Sequence, residues 1–136
     1  MNVTLFTIKQ KGDGAKKILT ICQKALEKKI FLKIFCSNPE SIRFLDQLLW
    51  QFPEQSFLPH ATDTNYTCEP ILLSLNKEIK KPFTHIIWLL KEPPPNELKW
   101  THLYDFDDQS SPDSIQLSNN RYLFYKQMGC KISLLN

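Results

Sequence analysis

The residues of this chain with the means to do chemistry are three histidines, four cysteines and a short run of carboxylates. His60, His85 and His102 are scattered. No motif pairs any of them with a cysteine, and no G-x-S-x-G is present, so nucleophilic catalysis has no visible carrier. Cys22, Cys36, Cys68 and Cys130 stand far apart, with no C-x-x-C pair and no histidine at finger spacing, which argues against zinc. Asp105-Phe106-Asp107-Asp108 offers oxygen ligands to a divalent ion, although adjacent carboxylates after a strand more often form a solvated loop. With 3 glycines in all, Gly12-Asp13-Gly14 lacks both the third glycine of a dinucleotide fingerprint and the Gly-Lys-Ser/Thr end of a P-loop. No catalytic residue, metal ligand or cofactor is assigned.

A different chemistry is offered by large rings. Leu45-Asp46-Gln47-Leu48-Leu49-Trp50 is followed by Ser56-Phe57-Leu58-Pro59-His60. The aliphatic residues recur at helical spacing, as a core-facing stripe does, while Trp50 and Phe57 fall at the ends of elements and need not be wholly buried. Rings in such positions are common anchors of protein interfaces, although core packing explains any one of them equally well.

The elements that must position these residues follow from periodicity. Met1 to Ile8 alternates like a strand. Gly12-Asp13-Gly14 marks a loop, and Ala15, Ile18, Leu19, Cys22, Ala25 and Leu26 recur as one face of an amphipathic helix with lysines between them. Ile30 to Cys36 suits a strand buried on both faces. A second helix starts at Ser37-Asn38-Pro39-Glu40, either as a capping box from Ser37 to Glu40 or with Asn38 as cap and Pro39 in the first turn. Its inner face is Ile42, Leu45 and Leu49, with Phe44 and Leu48 alongside. Composition turns polar from Ala61 to Glu69, Pro70 to Leu75 reads as a strand, and Thr84 to Leu90 is the strongest strand candidate. Three prolines, Pro93 to Pro95, make a stiff connector. Thr101 to Phe106 gives another strand, Ser111-Pro112-Asp113 opens a final helix of about sixteen residues that Gly129 ends, and Cys130 to Leu135 closes the chain. Strands alternating with amphipathic helices, several of them apolar throughout, point to an α/β sandwich with a mainly parallel sheet.

At 136 residues the chain suits one domain over residues 1–136. Its apolar fraction of 42% with 23% charged residues is that of an ordinary globular protein. The first residues lack the charged start and long apolar segment of a secretory signal, so a cytoplasmic location is expected, with the cysteines as free thiols: Cys22 on a buried helix stripe, Cys36 and Cys130 within strands. The net charge of +3 is too small for wholesale nucleic-acid binding. It is polarised, with lysines crowding Lys9 to Lys33 and carboxylates crowding Asp105 to Asp113.

With these residues in view, the chain resembles the chi subunit of bacterial DNA polymerase III, an accessory protein of the clamp loader. The likeness rests on the opening strand with Phe6, the L-D-x-x-L-W helix end, Ser56-Phe57-Leu58-Pro59-His60, Pro70-Ile71-Leu72-Leu73, Tyr104-Asp105-Phe106, and Arg121-Tyr122 with Tyr125 and Gly129. The resemblance implies a three-layer, Rossmann-like α/β fold without a nucleotide site, and a non-catalytic adaptor with two partners. One is the psi subunit, met by Trp50, Phe57, Leu58 and Pro59 with His60 at the rim. The other is the acidic C-terminal tail of single-stranded DNA-binding protein, met around the last helix and closing strand, so that DNA is reached only indirectly. Asn119 stands where the family typically offers an arginine, and Arg121, Lys126 and Lys131 remain as basic contacts for carboxylates.

Two other classes fit parts of the sequence. A small enzyme acting on a nucleotide or phosphoester is motivated by the α/β pattern and the Asp105 to Asp108 cluster. Direct binding of single-stranded DNA is motivated by the lysine-rich first helix, but the sequence displays no regularly spaced aromatic platform.

Overall fold

The computed structural model describes residues 1–10, 12–51 and 58–135. Among them, seven strands form one all-parallel sheet in the order β3-β4-β2-β5-β6-β1-β7. The strands are β1 (Asn2–Ile8), β2 (Leu32–Phe35), β3 (His60–Thr62), β4 (Ile71–Ser74), β5 (His85–Trp88), β6 (His102–Asp108) and β7 (Lys131–Leu135). Helices α1 (Asp13–Glu27) and α2 (Pro39–Gln51) pack on one face, and α3 (Pro112–Gln127) packs on the other. The three-layer α/β sandwich expected from the alternation of elements is what the chain forms.

Two cores result. Under α1 and α2, Ile18, Ile21, Cys22, Leu45 and Leu49 meet Ile34, Ile71, Leu73 and Ile87 of the sheet. On the opposite face, Tyr125 of α3 joins Val3, Leu5, Phe35, Ile86, Trp88 and Leu103, while Leu90, Leu98 and Trp100 from the connections around the prolines cover what α3 does not reach. Two indole N–H groups fasten these connections: Trp88 donates to the Glu92 carbonyl at 2.8 Å and Trp100 to that of Asn2 at 3.1 Å. β2 is buried throughout, as its apolar run suggests. Its single charge, Lys33, reaches the Glu78 carbonyl and is held below the usual lysine range by burial, against the pull of Asp63 and Glu78.

Helix ends show how local chemistry sets the boundaries. Of the two starts open for α2, the second holds: Asn38 Oδ1 accepts from the Ser41 amide at 2.8 Å, with Pro39 in the first turn. Ser111 caps α3 in the same way through the Ser114 amide at 3.1 Å. α1 starts two residues earlier than a Gly12-Asp13-Gly14 loop implies, at Asp13, with Gly12 before it at φ 95°. α1 and α3 both end in Schellman turns, Ile30 N–H to the Ala25 carbonyl and Cys130 N–H to that of Tyr125. The left-handed position is Gly129 after α3 but Lys29, at φ 57°, after α1. One strand escaped the periodicity: β3 is short and its sequence His60-Ala61-Thr62 carries no apolar alternation.

Candidate partner-binding sites

At the end of α2, Leu45 and Leu49 turn into the core and leave Trp50 on the outer side, 61% exposed. Its indole stands edge-on to the His60 ring at 5.1 Å between centroids. His60 is fixed from beneath: its side chain is 1% exposed, Nδ1 lies 2.7 Å from the Leu58 carbonyl and Nε2 lies 2.9 Å from Asp46 Oδ1. Both ring nitrogens therefore face oxygen acceptors, which orients the imidazole and with it the wall on which Trp50 rests. Leu58 is 1% exposed and packs with Leu45, Leu49 and Ile71, so it braces this corner from inside. Pro59 is half-buried. Phe57 lies outside the described residues. Covering an indole so exposed removes on the order of 100 Å² of apolar surface from water, roughly 2–3 kcal/mol of association energy.

The α3 and β7 region is built differently. Arg121 is 7% exposed and spends its donors inside: Nε to Asp105 Oδ2 at 2.9 Å, Nη1 to the Lys91 carbonyl at 3.1 Å, and Nη2 to the Phe106 carbonyl at 3.0 Å and Ser118 Oγ at 3.3 Å. Asp105 accepts in addition from the Tyr125 hydroxyl at 2.7 Å and the Phe106 amide. Burial pushes the Asp105 carboxyl up from the usual range while the guanidinium, the hydroxyl and the amide pull it back, and the Tyr125 hydroxyl is raised well above the phenol value by burial and by Asp105, so it stays a neutral donor. Asp105 is thus half of a buried ion pair within β6, not a solvated loop carboxylate.

The other basic positions diverge. Asn119 is exposed and lines a cavity of about 200 Å³ between α3 and the ends of β6, β1 and β7, with Leu5, Tyr122 and Leu134 as apolar walls and Asp107 as an acidic one. Lys126 is exposed seven residues along the same helix, its ammonium 6.0 Å from the centre of the Tyr122 ring. Lys131 pairs in register with Asn2 on β1, two positions from the Thr4 and Ser133 pair, on the sheet face away from α3. Asn119 and Lys126 thus share one surface, while Arg121 and Lys131 leave it.

A larger crevice of about 440 Å³ opens at the C-terminal ends of β1, β5 and β6, between the starts of α1 and α3. This is where open parallel sheets usually bind ligands. Its walls include Ile8, Ile18, Leu90 and Leu117, the exposed Phe44 and the buried Arg121 and Asp105 pair. Among the described residues no group of three His, Cys, Asp or Glu side chains could hold a metal ion. Cys22 and Cys36 are buried thiols pushed up to about 12 by burial, whereas Cys130 precedes β7 and is partly exposed.

The family model of the DNA polymerase III chi subunit, HolC, matches residues 1–133. The chain belongs to this family. Chi is an accessory subunit of DNA polymerase III and not a catalytic one, which accords with a site composed of an exposed ring and a small pocket. A search of curated proteins finds no match. As a chi subunit the chain serves DNA replication with partners inside the holoenzyme. Among the described residues no helix of this chi subunit is long and apolar enough to cross a membrane.

Proposed function

We propose that this chi subunit is a cytoplasmic, single-domain adaptor of the clamp loader that joins the psi subunit to the acidic C-terminal tail of single-stranded DNA-binding protein. The observation that carries the psi half is Trp50, exposed at the end of a rigid helix and backed by an imidazole locked between Asp46 and the Leu58 carbonyl. A pre-positioned ring loses little freedom on docking, which favours affinity. Phe57 and Pro59 complete this face, and His60, buried at its rim, and Leu58 support it from within.

Support for the tail half is the pocket beside Asn119, Tyr122 and Leu134, wide enough for one aromatic side chain and flanked by Lys126 for a carboxylate. Arg121 contributes by holding the end of β6 against α3, and Lys131 adds long-range positive charge. Asp107 on the pocket wall opposes an acidic ligand, so capture is weak and salt-sensitive.

The test is a pull-down with two arms. Purified protein carrying Phe57→Ala should retain less psi than wild type at every salt concentration, and a synthetic acidic peptide ending in phenylalanine should be retained at low salt and released at high salt. Unchanged psi retention would remove the Phe57 assignment, and peptide capture indifferent to salt would remove the ionic one.

A further inference from the structure

The sheet face under α1 carries a feature that no stretch of sequence displays. Four side chains from three strands form a row of neighbouring rings, near-parallel at its two ends and tilted in the middle: Phe6 to Tyr104 at 6.4 Å and 15°, Tyr104 to His102 at 4.5 Å and 34°, and His102 to His85 at 5.9 Å and 12°. All four are half-buried, so each keeps part of its surface open. His102 is steadied by Thr4 Oγ1 at 2.7 Å and His85 by Thr84 Oγ1 at 2.9 Å. α1 leaves β1 and crosses over β6 and β5 to reach β2, and the outer edge of the face beyond β1 is uncovered, with Lys131, Ser133 and Leu135 of β7 exposed there.

α1 runs beside this row with its lysines toward it. Lys17 Nζ lies 5.4 Å from the centre of the Phe6 ring. At the other end, Lys28 is near enough to help hold His85 below its ordinary value, after the larger effect of burial. Lys24 lies between them, seven residues from Lys17 and four from Lys28, on the same side of the helix. The acids of this helix are Asp13 at its start and Glu27 near its end. A line of rings is therefore flanked by a line of ammonium groups of similar direction.

We propose that this face binds single-stranded nucleic acid directly, its bases packing on the Phe6, Tyr104, His102 and His85 rings and its phosphates on Lys17, Lys24 and Lys28. Rings accept any base because every base has a π-face, and lysines track the backbone without reading sequence. A folded protein surface offers no comparable match, having neither a phosphate at each step nor a repeated planar group. The site goes beyond the adaptor role, and it supplies the aromatic platform missing from the linear sequence.

The test is fluorescence anisotropy with labelled oligo-dT, oligo-U and a DNA duplex on the full chain. Three phosphate contacts on a single strand weaken binding about twentyfold between roughly 50 and 200 mM salt. The tighter of the two single strands identifies the natural one, and the duplex, whose bases are already stacked, should bind several-fold more weakly. Reversing Lys17, Lys24 and Lys28 to Glu should weaken oligonucleotide binding by about tenfold or more, while the same reversal at Lys77, Lys80 and Lys99, on loops of the opposite side, should leave it within about threefold. Phe6→Leu and Tyr104→Leu, which keep the apolar packing, should each cost about fivefold. Melting curves check that all variants fold. No binding by wild type at low salt, equal loss in the two lysine variants, equal affinity for duplex, or indifference to both ring substitutions would each overturn the proposal.

Discussion

The corner at Trp50 and the cluster at Arg121 use the same kinds of residue in opposite directions. At Trp50 the large ring faces out and the polar groups, His60 and Asp46, are spent holding it in place. At Arg121 the long cation, a natural surface group, faces in and is consumed by Asp105, two carbonyls and a serine. The difference teaches that residue type nominates a binding group but the unspent donors decide. An arginine with its donors occupied by its own fold has little left for a partner carboxylate, whereas an indole propped on a fixed imidazole stays largely exposed.

The largest expected effect separates the two regions by stability. Arg121→Ala strands the Asp105 carboxylate inside the protein and should cost about 3–5 kcal/mol in denaturant unfolding, a large part of the total for a domain of this size. Were stability unchanged and acidic-peptide capture lost, Arg121 would belong to the binding surface and the contrast would collapse. His60→Ala comes next. Removing a buried ring hydrogen-bonded on both sides should lower stability by about 1–3 kcal/mol, and it should also weaken psi binding because Trp50 loses its wall. A variant that unfolds more easily yet binds psi as wild type does would show that the wall is irrelevant.

Smaller effects sharpen the tail pocket. Asn119→Arg places a free guanidinium beside the cavity and opposite Asp107, and peptide affinity measured at low salt should rise by a few-fold, an advantage lost at high salt. The smallest effect concerns the ring row. Burial, with Lys28 beside His85 and His85 beside His102, holds both imidazoles below the ordinary value of 6.5. The unfolded chain then binds more protons than the folded one as pH falls through about 6.5, so stability declines on acidification. His85→Gln should flatten that decline in melting temperatures followed from neutral to mildly acidic pH, and an unchanged slope would exclude the pair as its source.

Much of the fold was legible because its elements are locally consistent. The apolar runs around Leu32 to Phe35 and His85 to Trp88 became central strands, and Ser111-Pro112 with Gly129 bracketed α3. The binding groups were less legible for a physical reason. Asp105 sits in a row of acids that reads as a solvated loop, and its partner lies 16 residues away on another element. Leu58 is expected on the psi-binding face from the resemblance, yet its aliphatic side chain lies in the core. His102 and Tyr104 alternate on one strand, but only parallel register brings Phe6 and His85 beside them. Trp50 was recognisable since a helix stripe that ends at Leu49 leaves the next residue outside.

Calorimetric titration of psi into wild type and Trp50→Ala tests the central claim most directly. The expected result is affinity reduced by about tenfold or more in a variant that still melts cooperatively, since most of the indole lies outside the core. Equal affinity for psi in the two proteins would contradict the account.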